Sequence, residues 1–293
     1  MKRILVVGSG DVAQRAIPWL AKRFAVFALI RRDDDRERLR AAGARPIKGD
    51  LDCRATLRRC AGIADIVLHC APPPRDGVRD VRTARLLAAL GTRQSLAQRL
   101  IYISTTGVYG DCAGALIDET RPVAPVTPRA RRRVDAERRL RRFGVRNGVT
   151  VSILRAPGIY AAERLPTARL ERGDPMPDAA HDVHTNHIHA DDLAHILCLA
   201  LFRGRSGRVY NAVDDSALTM GEYFELAAHL FDLPVPERLP PAALRERLTP
   251  MALSFMSESR RISNRRLRRE LGVRLRYPTV AEGLRAARDS QSK

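Results

Sequence analysis

A glycine-rich segment close to the first residue constrains the fold of this chain more than any other feature. An apolar run at positions 3–7 leads directly into Gly8-Ser9-Gly10-Asp11-Val12-Ala13. This spacing, G-x-G-x-x-G/A between a strand and a helix, is typical of loops that hold the diphosphate of a dinucleotide. A glycine turn in a fold that binds no nucleotide has the same spacing. The predicted diphosphate contacts are Gly8, Ser9, Gly10, Asp11 and Val12.

The segments that follow alternate between strand and helix patterns. Predicted strands lie at 3–7, 25–30, 44–48, 64–69, 100–103 and 149–154. Predicted helices lie at 11–22, 36–42, 53–60, 78–90 and 128–143. The strands are apolar on both faces, which indicates a parallel sheet covered by helices on each side. The first half is therefore predicted to be a doubly wound α/β domain of the Rossmann type.

The alternation breaks after residue 154, and the remainder is mostly helical. Predicted strands lie at 185–189 and 208–213, and predicted helices at 191–202, 219–231, 240–248, 263–271 and 280–288. Asp191, Ser263 and Thr279 are the candidate N-caps. We predict a dinucleotide domain at 1–155, to which 186–213 returns, and a smaller, mostly helical substrate domain within 156–293.

Composition excludes several classes of function. The formal charge is +19, but the basic residues are scattered and aromatic residues make up only 5%, so a specific nucleic-acid surface is not predicted. No apolar run reaches the roughly 18 residues that cross a bilayer. The cysteines at 53, 60, 70, 112 and 198 form no C-x-x-C pair, so neither a disulfide framework nor a metal site is expected. The expected location is the cytoplasm.

The residues after the second and third strands bear on which coenzyme is bound. Acids at this position favour NAD, and arginines favour the 2′-phosphate of NADP. Arg31 and Arg32 come first after the second strand, and Asp33 follows. We therefore expect NADP, with NAD as the alternative. Asp50 and Leu51, after the third strand, are candidate contacts to the adenine, although Asp50 alternatively caps a helix.

At this point the chain resembles the extended short-chain dehydrogenase/reductase superfamily, and within it the NAD-dependent epimerase/dehydratase family. Besides the glycine loop, the resemblance rests on Gly49-Asp50-Leu51-Asp52, Ile103-Ser104-Thr105-Thr106-Gly107-Val108-Tyr109-Gly110-Asp111, Asp118-Glu119-Thr120, Leu154-Arg155-Ala156-Pro157-Gly158-Ile159-Tyr160 and His187-Ile188-His189-Ala190-Asp191-Asp192-Leu193-Ala194. The resemblance implies a Rossmann domain and a smaller C-terminal domain that closes over a substrate, often a nucleotide sugar.

The chain departs from the family where catalysis is expected. The family uses a Ser or Thr, which matches Thr105, together with Tyr-x-x-x-Lys. Here Arg129 stands at the tyrosine position and Arg133 at the lysine position. A guanidinium has a pKa above about 12.5, so it binds an anion or polarises a carbonyl but is a poor general acid or base. Arg133 retains the means to hold the nicotinamide ribose, as the family's lysine does.

Other groups are candidates to replace the missing proton donor. His187 stands where the family usually has an aromatic residue, and histidine titrates near neutrality; packing alone is the competing interpretation. Tyr109 is a weaker candidate, since the family uses a tyrosine there for packing. Arg155 is predicted either to face the cleft or to form a salt bridge at a strand end, and Asn186 is a further cleft candidate.

The sequence as a whole predicts an atypical NAD(P)-binding oxidoreductase or epimerase-like enzyme with a small polar or sugar-derived substrate. In that interpretation Thr105 holds the substrate oxygen, Arg129 stabilises its charge and His187 supplies the proton. The alternative is a non-catalytic sensor or regulatory protein that binds the dinucleotide as a ligand. A family-like homodimer would pair the helices near 78–91 and 128–143, although the second is unusually charged for a buried surface.

Overall fold

The computed structural model describes residues 1–92 and 96–291. The strands are β1 (Arg3–Val7), β2 (Ala25–Ile30), β3 (Ala44–Lys48), β4 (Ile66–His69), β5 (Arg99–Thr105), β6 (Leu116–Ile117), β7 (Thr150–Ala156), β8 (Gly158–Tyr160), β9 (Met176–Pro177), β10 (His187–His189), β11 (Val209–Asn211), β12 (Arg238–Leu239) and β13 (Arg261–Ile262). The α-helices are α1 (Asp11–Ala21), α2 (Arg36–Ala41), α3 (Val81–Leu90), α4 (Pro128–Asn147), α5 (Thr167–Glu171), α6 (Ala190–Arg203), α7 (Met220–Leu230), α8 (Pro241–Arg247), α9 (Pro250–Phe255), α10 (Arg265–Leu271) and α11 (Val280–Gln291).

Seven strands form one parallel sheet in the order β11-β7-β5-β4-β1-β2-β3. The chain winds outward from β1 in one direction through β2 and β3, then returns and continues on the other side through β4, β5 and β7. This order confirms the predicted doubly wound α/β fold. β4 is buried at every position, as expected for a central strand whose two faces are both covered.

Apolar side chains on each face of the sheet form a separate core. One core includes residues of α1 and α6, such as Ile17 and Leu197, and the other includes residues of α3 and α4, such as Leu86 and Leu140. The carboxyl ends of parallel strands meet at one edge of a sheet, where ligands bind in open α/β folds. The glycine loop after β1 and the segments after β4, β5 and β7 therefore share this edge.

The C-terminal half has its own apolar cluster, away from the sheet. Its members come from β8, β9, α5, α7, α8 and α11 and include Tyr160, Leu170, Met176, Phe224 and Leu284. Two short parallel pairs, β8 with β10 and β9 with β12, connect its segments. β11, in contrast, pairs with β7 at the edge of the main sheet. The predicted division into two domains stays a prediction.

Several local expectations were wrong in detail. Residues 54–60 form a 3-10 helix rather than an α-helix, and α3 starts at Val81 because the Asp80 carboxylate caps it by accepting from the Thr83 N–H. The N-cap of α6 is His189, whose Nδ1 accepts from the N–H of Asp191. Asp191 itself therefore lies inside the first turn. Two-residue strands and the short α5 and α9 were not predicted, because so few residues show no periodicity.

The predicted N-caps Ser263 and Thr279 differ in outcome. The assigned N-cap of α10 is Asn264, without a side-chain hydrogen bond, but the hydroxyl of the predicted Ser263 accepts from the N–H of Arg265 at 3.3 Å. The Thr279 hydroxyl accepts from the N–H of Glu282, and the Glu282 carboxylate accepts from the N–H of Thr279. This reciprocal pair is a capping box, which confirms Thr279 as the start signal of α11.

Candidate active site

The glycine loop forms a tight turn between β1 and α1. Gly8 has a φ of 91°, and a Cβ there would lie 2.4 Å from the backbone nitrogen of Ala71. Only glycine fits this turn against the segment after β4. Gly10 is the N-cap of α1, and a Cβ there would meet no atom within 4 Å. Because the first N–H groups of a helix lack intrahelical acceptors, the open space before Gly10 fits a diphosphate.

The side chains of the other predicted loop contacts have different positions. The Ser9 carbonyl accepts from Gln14 Nε2 at 2.7 Å, and Val12 packs in the core. The Asp11 carboxylate accepts from Arg15 Nε at 2.7 Å, while its second oxygen is buried without a hydrogen bond. These residues therefore present main-chain N–H groups, rather than side chains, to a bound phosphate.

Arg15 connects the glycine loop to the second half of the molecule. Besides Asp11, its guanidinium donates to Asp191 in α6 at 2.6 Å and to Glu163 at 2.9 Å. Burial opposes the charged form of Arg15, but the hydrogen bonds with Asp191 and Asp11 outweigh it and raise the pKa above its ordinary value. The Arg15 cation thus fixes the approach of α6 to the start of α1.

The predicted adenosine contacts lie at the ends of β2 and β3. Arg31 and Arg32 follow β2 directly and are exposed. The Asp33 carboxylate accepts from Lys48 and Arg36, both at 2.6 Å, and the Lys48 hydrogen bond is the largest cause of its lowered pKa. Asp33 is therefore paired with neighbouring cations, and the arginines are the first charged groups after the strand.

Asp50 and Leu51 begin the turn after β3. The Asp50 carboxylate accepts from the N–H of Asp52 at 2.9 Å, and the Leu51 carbonyl accepts from Arg85 at 3.3 Å. Asp50 thus folds onto its own turn through one oxygen. The predicted contact of both residues with adenine stays a prediction.

Thr105 ends β5 at the same sheet edge. Its hydroxyl accepts from the N–H of Gly107 at 3.3 Å. The flanking Ser104 and Thr106 are buried, and Ser104 donates to Glu137 at 2.6 Å. Thr105 is half-buried and is the most accessible hydroxyl of the three.

Arg129 and Arg133 lie one turn apart at the start of α4, so their side chains share a face. The helix begins there because Thr127 accepts from the N–H of Ala130 and Pro128 occupies the first turn. Arg133 Nη1 donates to the Tyr102 hydroxyl at 2.9 Å and to the Ile103 carbonyl at 2.8 Å. β5 therefore holds the Arg133 side chain in place.

These residues line one cavity of about 590 Å³. Its walls come from the segment after β4, the end of β5, the start of α4 and the segments after β7 and before β10. Pro72 lies on the wall and directly follows Ala71, the residue that touches Gly8. The same cavity is lined by Thr105, Arg129 and Arg133. The structure thus brings three of the four predicted catalytic residues together beside the glycine loop.

His187, the fourth, lies behind the cavity wall. It is 6% exposed, stacks on Tyr223 with ring centroids 4.2 Å apart, and has a buried Nδ1 without a hydrogen bond. Burial lowers the pKa of His187 to about 4. Among the described residues, His184 lines the cavity and His187 does not. A catalytic role for His187 stays a prediction.

Arg155 and Tyr109 belong to a buried network behind Thr105. Arg155 Nη2 lies 2.8 Å from Glu137 Oε2, and both side chains are less than 5% exposed. The Arg155 guanidinium also lies 4.6 Å from the Tyr109 ring centre, and the Tyr109 hydroxyl donates to Asn211 at 2.7 Å. Of the two predictions for Arg155, the salt bridge is confirmed.

Sequence patterns did not predict three further groups on the cavity wall. Arg132 is adjacent to Arg133 but its side chain is 7% exposed and donates to the Gly77 carbonyl. Glu258 and Arg260 form an ion pair at 2.7 Å, and they arrive from far along the chain. Asn186 holds that segment in place, since its amide nitrogen donates to the Arg260 carbonyl at 2.9 Å. Only an arginine run at 131–133 was visible beforehand.

Comparison with known proteins identifies the family. A model described as NAD(P)H-binding matches residues 8–203. The chain belongs to this NAD(P)H-binding family. Solved structures of UDP-glucose 4-epimerases share its fold.

Relatives cover most of the chain. A functionally unknown conserved protein from Silicibacter pomeroyi is 30% identical, with a TM-score of 0.83 and full coverage of both chains. The structure of UDP-glucose 4-epimerase from Thermotoga maritima is 18% identical, with a TM-score of 0.79, 99% coverage of this chain and 98% of the other. A 4-hydroxy-2-methyl-3-oxo-4-farnesyl-3,4-dihydroquinoline-1-oxide ketoreductase from Stigmatella aurantiaca is 26% identical over 247 residues, 77% of this chain and 72% of that one.

The helices and the metal-binding side chains of the described ranges limit the kinds of partner. Within 1–92 and 96–291, no helix has the length and apolarity needed to span a bilayer. Within the same ranges, no three His, Cys, Asp or Glu side chains are grouped closely enough to bind a metal ion. A small-molecule ligand at the NAD(P)H-binding domain is what the family indicates.

Proposed function

We propose that this chain is an NADP-dependent oxidoreductase that acts on a small polar or sugar-derived substrate. The observation that carries the proposal is the shared cavity, in which Thr105, Arg129 and Arg133 face the segment that touches the glycine loop. A dinucleotide that binds Gly10 by its diphosphate would have its reactive end in this cavity, at the carboxyl edge of the sheet. Residues 1–155 with 186–213 would bind it, and the rest of 156–293 would cover the substrate.

The choice of NADP rests on the charges after β2. A 2′-phosphate needs cationic partners that a ribose diol does not, and a guanidinium matches phosphate with two parallel hydrogen bonds. Arg31 and Arg32 are exposed at this position. Asp33, the first acid, is already paired with Lys48 and Arg36.

The cavity residues would then act as follows. The coenzyme supplies or accepts the hydride when it is bound. Thr105 donates a hydrogen bond to the substrate oxygen, and Arg129 stabilises the negative charge that develops on it. Arg133, anchored to Tyr102 and Ile103, retains further N–H groups for the nicotinamide ribose. Neither arginine moves a proton, because a guanidinium stays charged at neutral pH.

The proton comes from one of two histidines. His187 was predicted from the sequence, but it is buried and its low pKa of about 4 keeps it neutral at pH 7. His184 lines the cavity and is therefore the histidine within reach of a substrate. We accordingly assign the proton to His184.

Coenzyme binding and turnover test the proposal separately. Calorimetry with the full chain should show NADPH binding more tightly than NADH. The near-ultraviolet absorbance of NADPH should then fall when ketones, 2-oxo acids or sugar-derived carbonyls are added, and a Thr105→Val variant should bind NADPH normally while turnover is lost. No binding of either coenzyme would overturn the proposal.

A second candidate function is a regulatory protein that senses the dinucleotide. Arginines at both positions of the Tyr-x-x-x-Lys pair favour it, because they leave no conventional proton relay. It predicts tight coenzyme binding without turnover of any carbonyl substrate. The two candidates separate with Arg129→Tyr, since the variant should alter an existing rate in an oxidoreductase but has no rate to alter in a sensor.

The homodimer expected from the family is also part of the proposal. α3 and α4 enclose an open groove of about 900 Å³ that includes Leu87, Ala88 and Phe143 beside several arginines. Val145 on its rim is 89% exposed. A second copy would cover these apolar groups. Light scattering on Val145→Glu should show a monomer where the parent chain is a dimer, and an unchanged mass would contradict the pairing.

A further inference from the structure

The charged side chains on the cavity wall are strongly unbalanced. Within the described part of the chain, its cations are Arg75, Arg129, Arg132, Arg133, Arg164 and Arg260, and its carboxylate is Glu258. A small, partly enclosed space lined by one sign of charge focuses its potential inward and attracts the opposite ion. The cavity therefore selects among substrates by charge.

Glu258 does not neutralise this wall. Its Oε2 lies 2.7 Å from Arg260 Nη1, and both side chains are close to nine-tenths buried. Glu258 Oε1 and Arg260 Nε are each buried without a hydrogen-bond partner. The one carboxylate is thus engaged with one arginine, and that arginine still has an unused donor.

Arg132 and Arg133 are held by uncharged oxygen atoms. Arg132 is 7% exposed; it donates to the Gly77 carbonyl, and its Nε is buried without a partner. Arg133 donates to a hydroxyl and a carbonyl. A buried cation that lacks an anion is costly, and its cost falls when an anionic ligand arrives with matching geometry.

Arg129 experiences this excess of positive charge directly. Burial lowers the pKa of Arg129, and Glu258 opposes the shift. The nearby charges of Arg133, Arg132 and Arg260 lower it further. Cations that disfavour one another in this way favour any anion placed between them.

The buried pair behind Thr105 shows that this imbalance is local. Arg155 is as deeply buried as Arg132, yet Glu137 neutralises it with two hydrogen bonds at 3.1 and 2.8 Å. Ser104 donates to the same carboxylate. The fold therefore pairs Arg155 with a carboxylate, whereas Arg132 and Arg133 on the cavity wall donate to uncharged oxygen atoms.

From these observations, and resting on the function proposed above, we propose that the substrate carries an oxyanion, a carboxylate or a phosphate ester, which Arg129 and Arg132 bind beside Thr105. A guanidinium fork matches both groups. The reacting carbonyl or hydroxyl would then lie at Thr105, with the anion toward α4.

Binding of simple anions to the NADPH-saturated full chain tests this site. Saturation removes competition from the coenzyme's own phosphate sites. Malonate and inorganic phosphate are titrated separately by calorimetry, and sodium chloride at equal ionic strength serves as the reference for general screening. We expect at least one of the two to bind and chloride not to replace it. The better of the two identifies the carboxylate or the phosphate as the natural group.

Two arginines of α4 provide a matched pair of variants. Arg129→Gln and Arg138→Gln remove the same charge from the same helix, but Arg138 is exposed and lies outside the cavity lining. Loss of a charged hydrogen bond should weaken the anion about tenfold or more in R129Q. Affinity in R138Q should change less than about twofold, as expected for a remote, screened charge.

The outcomes separate this inference from the function on which it rests. If NADPH binds but R129Q and R138Q bind both anions equally well, the anion site is wrong and the coenzyme site stands. The same holds if neither anion binds the saturated chain. If NADPH itself fails to bind, the proposed function falls first.

Discussion

The two ends of the proposed active site differ in the kind of chemical group that forms them. At the nucleotide end, Gly8 meets a steric limit at Ala71 and Gly10 leaves the space that a diphosphate occupies. At the proposed reaction end, Arg129 and Arg133 line the cavity together with further arginines. The proposed nucleotide end is thus formed by main-chain atoms, and the proposed reaction end by charged side chains.

The two ends are constrained by different physical requirements, main-chain geometry at one and side-chain pKa at the other. A diphosphate is bound by backbone N–H groups and a helix dipole, which need only a turn of defined shape. Proton transfer needs a side chain of suitable pKa at a defined atom, so two substitutions suffice to change it. The arginines also differ, since Arg155 pairs with Glu137 whereas Arg132 and Arg133 donate to uncharged oxygen atoms.

Removing the carboxylate that pairs with Arg155 should have the largest effect on stability. Glu137→Ala leaves Arg155 buried without its anion and removes the acceptor of Ser104. We expect the free energy of unfolding to fall by about 3–5 kcal/mol in a denaturant titration. Glu37→Ala, which removes the exposed partner of Arg40, is the control and should cost less than about 1 kcal/mol. Equal losses in the two variants would mean that the buried pair is not special.

The two loop glycines should separate folding from coenzyme binding. Gly8→Ala forces an L residue to a φ of 91° and against Ala71, so we expect a loss of about 1–3 kcal/mol or more in stability. Gly10→Ala meets no protein atom, so its melting temperature should stay at the parent value.

Coenzyme affinity supplies the second half of that test. The added methyl of Gly10→Ala occupies the space of the diphosphate, and calorimetry should show NADPH bound at least about tenfold more weakly. If Gly10→Ala bound NADPH as tightly as the parent, the loop would not be the diphosphate site.

Reversing the charge after β2 should change the coenzyme preference. Arg31→Glu removes a cation from the expected position of the 2′-phosphate, and NADPH affinity should fall about 10–100-fold. NADH affinity should hold or rise, because a carboxylate accepts from the ribose diol. Asp33→Asn is the control, since Asp33 is engaged with Lys48; a change of preference in this variant instead would assign the choice to Asp33.

The smallest expected effect is a pH dependence of stability from His187. Burial lowers its pKa from 6.5 to about 4 in the folded chain. Between these values the unfolded chain binds a proton that the folded chain does not, so His187 costs stability as the pH falls below 6.5. His187→Gln should abolish this contribution, so that the parent loses about 1 kcal/mol relative to the variant between pH 7 and about pH 5.5.

The same pair of histidines distinguishes the two proton assignments. His184→Gln should lower turnover at pH 7 while NADPH binding is unchanged, and His187→Gln should lower it much less. The reverse result would return the proton to His187. Measurements of binding and of stability on both variants exclude a general loss of structure.

Sequence patterns predicted those features that depend on residues close together in the chain. The loop at 8–13 and the arginines at 129 and 133 follow from short spacings that a strand-to-helix turn and one helical turn convert directly into geometry. The patterns indicated His187 rather than His184, because His184 lies outside the predicted strand at 185–189 and only folding places it on the cavity wall. Glu258 and Arg260 were missed because they approach Arg129 only through folding.

The sequence alone determined the doubly wound nucleotide-binding domain, since this depends on residue identity and local periodicity. The tertiary structure alone decided which arginines are neutralised and which are not. Burial and pairing depend on contacts between segments far apart in the chain, as between Glu137 and Arg155. Whether a charged residue stabilises or destabilises the fold depends on the groups that folding places around it.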